Sequence, residues 1–204
     1  MEIKTEKLGK RFGNQWIFRN LDLFFKENKS YAITGPNGSG KSTLLQVLAG
    51  IIPSSAGKIM YSQNNQPLAE EELYKHQFFV SPYQELPEEF SLTELLDYHL
   101  SFRKLIKGME RDDLINTLNL WPHRSKQISL YSSGMKQRVK LGLALFSEAS
   151  LIILDEPATN LDEQNINWYR NAAIDRMGDA LMLIGSNQKY EYDFCSEIIN
   201  ITQV

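Results

Sequence analysis

An α/β fold built around a mostly parallel sheet is what this sequence predicts, and three observations carry the prediction. Two fully apolar runs, "LIIL" from 151 and "LMLI" from 181, flank a stretch in which Ile166, Tyr169, Ala173 and Met177 share one helical face. Strand, helix, strand with both strands apolar on each side is the pattern of buried parallel pairing. A third strand-like run, "YAIT" from 31, passes through a glycine-rich turn into a leucine-rich helix. The opening sixty residues instead read as short strands with turn signals, which predicts an antiparallel β subdomain at the front.

Taken in order, the strands expected there are "MEIKTEKL", then "GNQ", "IFRNLDLFF" and "SYAITG", with a further one over Gly57 to Tyr61. From Ser42 the spacing turns helical through Leu44, Leu45, Leu48, Ile51 and Ile52, until Pro53 forbids continuation. Between about 67 and 146 the chain reads as mostly helical, with Leu92, Leu95, Leu96, His99, Phe102 and Ile106 on one amphipathic stripe. A helical subdomain over about 82–148 within a single domain spanning 1–204 is the expected organisation. A strand-like "IINI" closes the pattern.

Composition narrows the function classes. A chain of 204 residues suits one compact unit that buries roughly 70% of its unfolded surface. A net charge of −3 leaves no excess of Lys and Arg to neutralise a phosphate backbone, so nucleic acid is not expected as a main partner. Cys195 is the lone cysteine, which excludes an internal disulfide and any site built from several thiolates, and fits a reducing compartment. The start, "MEIKTEKLGKRF", is charged where a signal peptide needs an apolar stretch, and no run approaches the ~20 apolar residues of a membrane span. Any action at a membrane then requires a separate chain to supply the spans.

The chemistry-bearing stretch is "GPNGSGKST", comprising Gly35, Pro36, Asn37, Gly38, Ser39, Gly40, Lys41, Ser42 and Thr43. It satisfies G-x-x-x-x-G-K-[ST] between a strand and a helix, the context that gives that spacing its meaning: a P-loop NTPase core. Glycines let successive N–H groups turn inward, the helix start adds its positive end, and Lys41 supplies a full charge for a nucleoside triphosphate. Ser42 is placed to ligate Mg²⁺. A matching acid is needed because Mg²⁺ takes oxygen ligands, and "LIILDEP" delivers Asp155 and Glu156 at the carboxyl end of a buried strand, the edge where ligands sit in parallel sheets. Asp155 is the metal candidate. Glu156 is the candidate general base, a role worth about 10²- to 10⁴-fold in rate. The run "LIGSNQ" ends on the same edge, so Asn187 is either an ordinary strand end or a sensor of the last phosphate.

About twenty residues before Asp155 lies "YSSGMKQR", from 131 to 138. It resembles the signature of ATP-binding cassette (ABC) proteins, Leu-Ser-Gly-Gly-Gln followed by a basic or polar residue and Gln-Arg. Tyr131, Ser132, Ser133, Gly134 and Met135 stand at the five positions. Read physically, Ser132 or Ser133 caps the helix continuing through "VKLGLALFS". What the resemblance implies is a partner: in the family this helix start binds the terminal phosphate of ATP held by the opposite subunit, so the cofactors are ATP and Mg²⁺ and the working state is a dimer, here a homodimer. Phe12 stands where the family stacks an aromatic on adenine, or is a packing aromatic. Asp162 in "TNLD" stands where an Asp contacts the other subunit, or is a helix N-cap. The metal- and water-sensing Gln of the family is matched to Gln84, although an ungapped reading of "FFVSPYQELPEEF" puts Pro82 in its place. The family's His after the last core strand is replaced by Asn187, while His76, His99 and His123 read as surface or packing residues.

The resemblance is nearest to the short-chain, haem-exporter-like ATPase subunits of ABC transporters, with no room for the regulatory domain of some importers. It implies separate transmembrane permease subunits, contacted through "FFVSPYQELPEEF", and a cytoplasmic location peripheral to the inner face of a membrane. The alternative is an ABC ATPase that regulates a membrane complex without transport. Chromosome- and repair-type relatives would show a heptad insertion or zinc-binding cysteines, translation-type ones carry two cassettes, and a small-molecule kinase would not need "SSGMKQR".

Overall fold

A computed structural model describes residues 1–106 and 108–201, which divide into two compact units. The first gathers Met1–Phe79, Ala149–Glu156 and the segment from Arg176; the second gathers Val80–Glu148 and Pro157–Asp175.

In the first unit, β1 (Glu2–Phe12), β2 (Gln15–Leu21), β3 (Phe24–Phe25), β5 (Ala56–Gln63) and β6 (Gln66–Leu68) form the expected antiparallel sheet in the order β2-β1-β5-β6, with β3 also on β1. Ile3 sits opposite both Phe25 and Tyr61, so three apolar side chains share one row on the buried face. The second sheet runs β10 (Glu197–Asn200), β4 (Ser30–Thr34), β9 (Leu181–Gly185), β8 (Leu151–Asp155), β7 (Gln77–Val80). β10, β4, β9 and β8 pair in parallel, and every residue of β4, β8 and β9 is buried, which is why these runs lack polar alternation. The register fixes the site: Gly185 of β9 is level with both Ile33 of β4 and Asp155 of β8, so the three strands end on one edge. Helix α1 (Lys41–Leu48) buries Leu44, Leu45, Val47 and Leu48 in the same core as Tyr31, Ile153 and Leu183.

The second unit carries α2 (Leu92–Leu100), α3 (Arg111–Thr117), α4 (Ser133–Leu145) and α5 (Glu163–Asp175). Ser91 and Glu94 form a reciprocal capping box at the start of α2, which satisfies two orphan amides.

Three expected elements change. Helix α1 stops at Leu48, because Gly50 takes a left-handed φ of 67° before Pro53 is reached; Ile51 and Ile52 lie outside it. The stripe on α2 ends at Leu100, leaving Phe102, 73% exposed, and Ile106 beyond the helix, as Met177 lies beyond α5. The stretch from 67 contains strand residues of β6, a 3-10 helix over Glu70–Lys75 and all of β7 before α2; "QFFV" is too short a run for its period to speak.

Candidate functional site

The phosphate loop hangs between β4 and α1. At Gly35 (φ 152°) a Cβ would meet the Ile201 carbonyl and come within 2.7 Å of Ser39 Oγ; at Gly40 (φ 94°), which precedes the helix, it would run into Ile17. No side chain fits either position, and the glycines at both ends of the loop are therefore dictated by space as well as by backbone angle. Lys41 is 6% exposed, and its ammonium donates to Gly35 O at 2.9 Å and Pro36 O at 3.3 Å. Ser39 is equally buried, with an Oγ that has no partner.

Around the loop opens a cavity of about 260 Å³ lined by Ile17, Asn37, Gly38, Gly40, Lys41, Ser42, Thr43 and Glu156. The structure thus brings together the loop from 35 to 43 and the acid at the end of β8. It adds Ile17, an apolar wall from β2, which no motif marked. Asn187 is tied to the loop, its Nδ2 donating to Asn37 Oδ1 at 2.6 Å. The backbone around it is held by Ser186, whose Oγ accepts from Gln188 N at 2.8 Å and donates to the buried carboxylate of Glu191.

The two carboxylates differ in setting. Asp155 is 4% exposed; burial pushes its pKa up and the Glu156 charge adds to the rise, while the hydrogen bond from Ser42 and the Lys41 ammonium oppose it. Its Oδ1 is buried without a partner, a costly state for a carboxylate oxygen unless a cation meets it. Glu156 is exposed, with its amide on Gly185 O at 2.9 Å and a left-handed φ of 47°, a region that bulky side chains avoid. Phe12 ends β1, 54% exposed, with Lys10 Nζ 4.9 Å from its ring centroid; it is not among the residues lining the cavity.

Within the second unit, Ser132 rather than Ser133 caps α4, accepting from Met135 N at 3.3 Å, and Ser133 is the first helical residue. Gly134 runs against the Asn160 carbonyl, which a Cβ would approach to 2.9 Å. Asp162 accepts from Asn165 N at 2.9 Å and Nδ2 at 2.7 Å, an N-cap for α5. Gln84 sits in an exposed turn closed by its own amide on Ser81 O at 3.3 Å. It lines a groove of about 200 Å³ with Pro82, Ser133, Lys136, Gln137 and Lys140. His99 is bonded to Ser147 Oγ at 2.8 Å, a packing role as its context suggested.

Among the described residues no cluster of three or more His, Cys, Asp or Glu could hold a metal, and no helix is long and apolar enough to cross a membrane. Residues 18–159 match the family described as ABC transporter. The chain is 33% identical over 162 residues to the cytochrome c biogenesis ATP-binding export protein CcmA of Reclinomonas americana, covering 76% of this chain and 71% of that protein. It is 29% identical over 188 residues to the Nod factor export ATP-binding protein I of Bradyrhizobium diazoefficiens, covering 90% of this chain and 61% of the relative. Several curated relatives are longer, and the chain spans 54–66% of their length. Its fold matches a dimeric ATP-binding cassette solved in a post-hydrolysis state with ADP and Pi, with a TM-score of 0.81 at 23% identity over 98% of this chain and 94% of that one. Phosphate loop, acid-tipped strand, capped signature helix and matched sequence agree, and the chain belongs to the ABC transporter family.

Proposed function

We propose that the chain is the ATP-binding and hydrolysing subunit of an ABC transporter, working as a dimer on separate membrane-spanning subunits at the inner face of a membrane. The observation that carries this reading is the cavity around Lys41, where the glycine-rich loop, a buried ammonium and Glu156 meet beside Asp155. Relatives that are export ATP-binding proteins, and the matched cassette, a dimer bound to ADP and Pi, support the reading.

The residues present fit Mg²⁺: the Ser42 hydroxyl and the unpartnered Oδ1 of Asp155 are hard oxygen donors beside the loop. The ion would supply positive charge to the β- and γ-phosphates. Lys41 would add a second charge, and amides of the loop and the start of α1 would fix the phosphates in place. Glu156 would take the proton of the attacking water, and Asn187 would donate a neutral hydrogen bond at the terminal phosphate. By resemblance, Phe12 would stack on the base and Gln84 would serve as a further metal ligand. Ser132, Ser133, Gly134 and Met135 serve the ATP of the second subunit, which Asp162 contacts.

Steady-state hydrolysis tests the reading. The parent chain with Mg·ATP should release phosphate, and Glu156→Gln should lower turnover about 10²-fold or more. Equal turnover in the two proteins overturns the role of Glu156; absence of ATP binding by the parent overturns the whole proposal. Co-purification with a membrane-spanning chain, and substrate movement that stops in Glu156→Gln, separates a transporter subunit from a regulator.

A further inference from the structure

Helix α4 begins at the signature, and the face it turns to the groove carries Ser133, Lys136, Gln137 and Lys140, the i, i+3, i+4, i+7 spacing of one helical stripe. Lysine at the end of that stripe ordinarily reads as a solvated charge. Lys140 is instead 7% exposed, and its ammonium donates to three backbone carbonyls of a single turn: Ser81 O at 3.1 Å, Gln84 O at 3.2 Å and Pro82 O at 3.5 Å. An ammonium has three donors, and this one spends all three on the loop that displays Gln84. The same helix face holds a second segment, Gln137 Nε2 donating to Pro157 O at 2.8 Å, and Lys136 pairs with Glu88 farther along the first loop.

We infer that Lys140 is a positioning residue: its buried ammonium sets the backbone of the 81–84 turn against the signature helix and thereby fixes where Gln84 points. Burial lowers the pKa of the ammonium, and the three carbonyl dipoles of the turn are what its donors meet in place of water. The turn has little else to order it. Tyr83 is 95% exposed, Gln84 and Glu85 are exposed, and Gln84 N on Ser81 O, at 3.3 Å, is a long bond. The inference rests on the proposed hydrolysis only for its kinetic arm.

Lys140→Met keeps the stem and removes the donors. Amide exchange should then quicken over residues 81–86, with α3 and α5 unchanged. Turnover should fall about tenfold with KM for ATP within about twofold, the size of effect typical when a partner of a metal ligand is lost. In a Gln84→Ala background the same substitution should cost less than about twofold, since a residue acting through Gln84 has nothing left to position. Exchange that quickens throughout the second unit, or effects of the two substitutions that multiply, would show a packing residue and overturn the inference. Unchanged exchange over 81–86 overturns it as well. Should Lys140→Met not fold, Lys140→Gln, which retains two donors on a shorter stem, is read by the same exchange criterion. If the parent chain proves not to hydrolyse ATP, the exchange arm still decides whether the ammonium holds the turn.

Discussion

Glu156 occupies a backbone region that costs a non-glycine residue about 1–2 kcal/mol, and it does so at the lip of the phosphate cavity. Glycine there would relieve that strain while adding about 0.5–1 kcal/mol of unfolded-state entropy. Glu156→Gly is therefore expected to be as stable as the parent or up to ~1 kcal/mol more stable in urea unfolding, with hydrolysis abolished; a clear loss of stability would mean that the side chain, rather than its function, selects the angle. Asn187 makes the complementary case. Its amide already touches Asn37 of the loop, so Asn187→Ala should lower turnover about tenfold, near 1.4 kcal/mol, with ATP affinity nearly intact, and Asn187→His should preserve or raise turnover. Steady-state rates of the three proteins check this. Both residues were legible because each ends a fully apolar run on a polar one. Ile17 and Lys140 were not: the first reaches the cavity from a distant strand, and the second is a lysine whose burial no local pattern announces.

At the scale of elements, the His99 ring on α2 bonds Ser147 just past the end of α4, and burial together with the Arg103 charge lowers its pKa to about 4. The unfolded chain, with an ordinary histidine near 6.5, takes up a proton that the folded chain refuses between those values, so this contribution is intact above pH 6.5 and is lost as the pH falls toward 4. The parent should lose about 2 kcal/mol between pH 7.5 and 5 from this group, and His99→Gln should show a correspondingly flatter acid limb in urea midpoints. Equal slopes would place the ring's titration outside folding. Elements buried on both faces, β4, β8 and β9, were readable from continuous apolar runs, and α4 from its cap. Ends were less readable, because Gly50 stops α1 before the expected stop at Pro53, and the stripe past Leu100 continues in residues with no helix under them.

For the molecule as a whole, the proposed dimer is a mass measurement: Glu156→Gln with Mg·ATP should double in mass by light scattering relative to the nucleotide-free chain, and an unchanged mass would refute it. The order of the parallel sheet has a different consequence, for synthesis. β4, from which the phosphate loop hangs, is paired on one side by β9 and on the other by β10. Ser30 and Ser196, 166 positions apart, bond to each other through their hydroxyls at 3.0 Å. At about 10 residues per second a ribosome needs roughly 17 s to cross such a separation. Through that interval the five apolar-lined residues of β4 have both edges bare, the condition under which nascent strands find wrong partners. Stalled chains that stop before residue 181 should consequently be chaperone clients unable to retain ATP, and nucleotide capture should switch on only once residues 181–200 have cleared the exit tunnel.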